Sequence, residues 1–65
     1  MNQGFAEYQD ARQRADFYAQ TGQKEEAIEE FTRAIELLPN SGMSAQQQSI
    51  ILPILERRLK RVRES

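Results

Sequence analysis

Apolar residues recur along the chain in steps of three and four. Phe5, Tyr8, Ala11, Ala15, Tyr18 and Ala19 draw one stripe, which predicts an amphipathic helix from about Phe5 to Gln20. Thr21-Gly22-Gln23 interrupts the pattern, and Gly22 suits the left-handed residue that ends a helix. A cleaner stripe follows in Ala27, Ile28, Phe31, Ala34, Ile35 and Leu38, predicting a second helix from about Lys24 to Leu38. Pro39 cannot continue it, and Asn40-Ser41-Gly42 reads as a loop. Ile50, Ile51, Leu52, Ile54, Leu55, Leu59 and Val62 predict a third helix from about Ser44 to Arg63, with Ser44 as N-cap and Gln47 as its capping-box partner. Pro53 falls inside that helix, where it removes one hydrogen bond and costs roughly 3 kcal/mol. Either the helix bends there, or residues 44–51 form a separate turn; one long, kinked helix is the reading adopted. No stretch alternates as a strand would, so the expected fold class is all-α, a helix-turn-helix plus a long third helix.

Charge supports these boundaries. Glu25 and Glu26 lie in the first turn of the second helix, where the helix dipole favours negative charge. Asp10–Arg14 and Glu29–Arg33 are four-residue pairs in the favourable order.

The segment from Ala15 to Pro39 closely resembles the tetratricopeptide repeat, a helix, turn and helix closed by proline with a period near 34 residues. Ala15, Ala27 and Ala34 are small where helices must approach, Tyr18 and Phe31 are bulky where gaps must be filled, Gly22 makes the turn and Pro39 ends the hairpin. The resemblance covers roughly residues 8–41. It implies a helical hairpin that binds other proteins. Three positions depart from the family pattern: Ala11 replaces a large aromatic, Arg14 a leucine, and Lys24 a residue that is commonly aromatic. These losses point to a hairpin that does not stack as an ordinary internal repeat. Residues 42–65 do not repeat the pattern, so the third helix must serve as a lid or the chains must pair. The short Pro39–Gly42 connection and the basic third helix also resemble, more loosely, the microtubule-interacting and trafficking domain.

Composition sharpens this picture. With 65 residues the chain has room for a single helical domain spanning residues 1–65, and a core that small is marginal alone. There is no Cys and no His, which removes disulfides and the best zinc ligands, so no metal or cofactor is expected and association with another chain is the remaining staple. The longest apolar run, Ile50 to Leu55, is too short to span a bilayer, and no apolar run follows a basic start. A cytoplasmic location is the expectation. Catalytic residues are not expected: the carboxylates Glu25, Glu26, Glu29 and Glu30 fit helix solubility better than acid–base work, and the chain lacks room for a closed pocket.

Function is therefore expected in surfaces. The leading expectation is an adaptor or scaffold that binds a partner protein, or its own copy, through helix packing. Its interface residues would be Phe17, Ile28, Phe31, Ile35, Ile51, Ile54 and Leu55, since the third helix carries more apolar surface than one face can bury. The charge balance supplies an alternative. Residues 1–43 carry a net −4 and residues 44–65 a net +3. Arg57, Arg58, Lys60, Arg61 and Arg63 form a dense basic cluster that would suit phosphate, making the protein a small nucleic-acid-associated regulator. No aromatics are interleaved there for base stacking, and cations near a helix C-terminus are favoured by the dipole anyway. Arg12 lies on the face where repeats of this family often hold a peptide's carboxylate, but Asp16, one turn on, would repel an acidic tail.

Overall fold

The computed structural model describes residues 3–65. Helix α1 (Gln3–Gln20) and helix α2 (Lys24–Leu37) form an antiparallel hairpin, and helix α3 (Ala45–Glu64) packs mainly against α2. A 3₁₀ turn over Leu38–Asn40 finishes the second helix. The described residues contain no strand.

The turn between α1 and α2 is closed by local chemistry. Gly22 takes φ +78°, the left-handed conformation that ends a helix at no steric cost. The Gln23 amide then donates back to the Tyr18 carbonyl at 2.8 Å, the long bond of a Schellman motif. Thr21 adds its hydroxyl to the Phe17 carbonyl at 3.0 Å. At the other connection Ser41 is buried, its hydroxyl donating to the Leu38 carbonyl, while Gln48 donates to the Met43 carbonyl at 2.9 Å. Ser44 accepts from the Gln47 amide and Gln47 accepts from the Ser44 amide, a reciprocal capping box.

Three alanines hold the hairpin together. Ala15, Ala27 and Ala34 are fully buried, and their lack of bulk lets the backbones of α1 and α2 close on one another. Phe31 fills the space this leaves, with Tyr8, Ala11 and Leu38 around it. Leu55 and Leu59 bring α3 into the same cluster. Burying a side chain of the size of Phe31 or Leu55 is worth about 1.5–3 kcal/mol, so α3 supplies a substantial part of a small core.

Pro53 does not divide the third helix, which runs from Ala45 to Glu64 as the single long helix expected. Pro53 and Ser49, whose carbonyl loses its partner to the proline, are both exposed, so that carbonyl faces water. Two details differ from the sequence expectation. The described part of helix α1 already includes Gln3, two residues before Phe5. Gly4 lies so close to the end of the 3₁₀ turn that a Cβ there would run into the Asn40 carbonyl oxygen. The four-residue pairs Asp10–Arg14 and Glu29–Arg33 are not closed. The ion pair found among the described residues is Arg58–Asp16.

The close approach at Gly4 gives a prediction with an unusual sign. Alanine is normally better than glycine inside a helix by about 1 kcal/mol. Here Gly4→Ala should lower the thermal unfolding midpoint, whereas Gly4 replaced in an isolated α1 peptide should raise helicity. Circular dichroism melting of the two pairs reads both effects.

Candidate functional site

Helices α1 and α3 lie side by side on the hairpin, and an open groove runs between them. Its N-terminal half, about 490 Å³, is walled by Phe5, Gln9 and Arg12 of α1, Met43 of the loop, and Gln47 and Ile51 of α3. Its C-terminal half, about 530 Å³, is walled by Asp16, Ala19 and Gln20 on one side and Arg58, Arg61 and Val62 on the other, over Phe31. The wall residues follow from helical geometry. On α3, Gln47, Ile51, Arg58 and Arg61 are spaced by four, seven and three, which places them on one edge of the helix.

Apolar and polar groups share the lining of the groove's first half about equally. The Phe5 and Tyr8 rings are tilted against each other with centroids 6.3 Å apart. Tyr8 is buried, and its hydroxyl is sealed from solvent without a hydrogen-bond partner among the described residues. That hydroxyl is therefore not a handle for an incoming ligand. Arg12 of α1 and Gln47 of α3 line this half as polar residues, with Gln9 and Ser41.

Arg58 and Asp16 close the groove between its two halves. The Arg58 Nη1 donates to the Asp16 Oδ1 at 3.1 Å, joining α3 to α1 across a sequence separation of 42 residues. Further along, the Lys24 ammonium donates to the Ser65 backbone oxygen at 2.9 Å, tying the start of α2 to the end of α3. A cation at that end of α3 also meets the negative pole of its dipole.

The expected interface residues separate into two groups. Phe31 and Leu55 are each about 1% exposed and hold the helices together, with Phe31 beneath the groove's second half. Ile28, Ile35 and Ile51 are half-buried against the core, and of these Ile51 borders the groove. Phe17, Ile54 and also Ile50 stand out in solvent. The residues that sequence reasoning left out of the groove are Phe5, Gln9, Met43 and Gln47; the helical spacing on α3 was the available signal for Gln47. In the basic cluster all five residues are exposed, but they are distributed around α3 and Arg58 is engaged by Asp16. Arg57 and Arg61 share one face, Lys60 and Arg63 point elsewhere by their spacing. Among the described residues no group of three or more acidic side chains could hold a metal, and no helix is long and apolar enough to cross a membrane.

The Arg58–Asp16 pair is partly solvated, with side chains 46% and 38% exposed. A double-mutant cycle through Asp16→Asn and Arg58→Gln should give a coupling energy of about 0.2–1 kcal/mol in denaturant unfolding, falling as salt is added. A coupling above about 2 kcal/mol would mean that the pair is far better shielded than its geometry indicates.

The family comparison agrees with this geometry. No significant match was found among curated proteins or among solved structures. The profile described as tetratricopeptide repeat matches residues 8–41, from the first buried aromatic of α1 to the buried serine after the 3₁₀ turn. That span is just over half the chain and contains the whole interlocking hairpin, and the chain belongs to the tetratricopeptide repeat family.

Proposed function

We propose that the protein is a non-catalytic adaptor that holds a short segment of a partner protein in the groove between α1 and α3. Repeats of this family generally mediate protein–protein interaction. The observation that carries the reading is the groove itself. Its first half brings the apolar side chains of Phe5, Tyr8, Met43 and Ile51 together with the polar side chains of Gln9, Arg12, Ser41 and Gln47. That is the composition of a peptide site, in which apolar contacts supply affinity and a few polar groups fix orientation. The groove is open at the side, so it suits an extended or helical segment better than an enclosed small molecule. Arg12 gives the site a preference for a segment bearing an acidic group beside an apolar side chain.

Peptides selected from a random display library provide the test. Binders should perturb the amide resonances of Phe5, Arg12, Met43 and Ile51, and Arg12→Glu should weaken acidic binders by about tenfold or more without altering the melting midpoint. Binders that map to α2, or that are indifferent to both Arg12→Glu and Ile51→Asp, would place the interaction elsewhere.

A further inference from the structure

Among the described residues three large hydrophobic side chains are exposed: Phe17 on α1 at 57%, and Ile50 and Ile54 on α3 at 59% and 41%. None of them belongs to the floor of the groove. Phe17 points away from the core side of α1, which is marked by Tyr8, Ala11 and Ala15. Ile50 points away from Leu55 and Leu59 on α3. Each apolar residue continues into a row of charges. On α1 the row is Glu7, Asp10, Arg14 and Phe17, in steps of three, four and three. On α3 it is Ile50, Ile54, Arg57 and Arg61, in steps of four, three and four. Glu7, Asp10, Arg57 and Arg61 are all exposed, and none is in an ion pair among the described residues.

The two rows are complementary in sign and in spacing. Asp10 and Glu7 lie seven and ten residues before Phe17, and Arg57 and Arg61 lie seven and eleven residues after Ile50. At 1.5 Å per residue the charges stand about 10 Å and about 15 Å from the apolar residue on both helices. Running in opposite directions, the two rows bring Phe17 to Ile50, Asp10 to Arg57 and Glu7 to Arg61. With 100° between successive residues, Glu7 and Arg61 also fall on the same flank of that contact. The stem of Arg14 then covers Ile54, as long cationic side chains cover apolar surface. A parallel pairing of Phe17 with Ile50 would carry both acids past the start of α3, away from the arginines.

We propose that the protein associates head to tail with further copies of itself, the Phe17 face of α1 in one copy packing antiparallel on the Ile50–Ile54 face of α3 in the next. The two faces belong to different helices, so every added copy leaves one of each free. Such a contact is heterologous and builds open arrays rather than a closed dimer. A single helix pair buries less than the roughly 1,200–2,000 Å² of a stable complex, so the association is weak and depends on concentration. The charge rows make it sensitive to salt. Arg61 is shared with the far half of the α1–α3 groove, but Phe17, Ile50, Ile54, Asp10 and Arg57 line neither half, so this test and the groove's test can fail separately.

Sedimentation equilibrium of the full chain reads the proposal. At low salt the average mass should climb above the 7.6 kDa monomer with concentration, without levelling at a dimer, and should drop as salt is raised. Phe17→Asp and Ile50→Asp should each be monomeric alone, because each lacks one of the two faces. Mixed in equal amounts they should form a 1:1 heterodimer and nothing larger, because each supplies the face the other lacks. Asp10→Arg should weaken association by about tenfold or more, and adding Arg57→Asp in the same chain should restore it. A wild-type chain that stays monomeric, a single variant that self-associates like wild type, or a mixture that stays monomeric would overturn the proposal.

Discussion

Everything in this small protein depends on how closely α1 and α2 approach. Ala15, Ala27 and Ala34 have no measurable exposure, and a larger residue at any of them would push the helices apart. With the backbones close, one phenyl ring, Phe31, is enough to fill the centre. A hairpin built this way still has an uncovered side. Leu55 and Leu59 cover it, and they do so from a helix connected by a loop pinned through Ser41 and Gln48. The third helix is thus part of the core, and its outward face and groove edge are what remain for partners.

The departures from the family pattern make sense in the light of that third helix. Lys24, where an aromatic is common, reaches the end of α3, and Asp16 faces Arg58 of α3. Both residues make polar contacts to the lid. The same contacts divide the concave side of the hairpin. The Asp16–Arg58 bridge stands between a half that holds Phe5, Ile51 and Arg12 and a half that holds Arg61 and Val62, so the two halves suit different parts of a ligand.

The hairpin was legible in the sequence because its signals are local. Gly22, Pro39 and the alanine spacing each act within a few residues, and the capping box at Ser44 and Gln47 does the same. Features set by distant contacts were not legible. The close approach of Gly4 to Asn40 joins residues far apart in the chain. So does the Arg58–Asp16 pair, which formed in place of the four-residue pairs within α1 and α2. The candidate site shows the same division. Periodicity identified Phe31 and Leu55 as apolar positions of their helices, but it could not tell a core side from an open side without knowing which helix lies against which. Phe17, one position off its stripe, was readable as exposed for that reason, and Phe5 and Gln47 were not readable as groove walls.

The single repeat folds because α3 completes its core. Thermal unfolding of a chain truncated after Met43, beside the full chain, followed by far-ultraviolet circular dichroism, tests this. The full chain should show a cooperative transition and the truncated one a gradual, non-cooperative loss of helix, since short helices without packing are marginal in water. A truncated hairpin that melts cooperatively near the temperature of the full chain would contradict it, and would make α3 an appendage rather than a part of the fold.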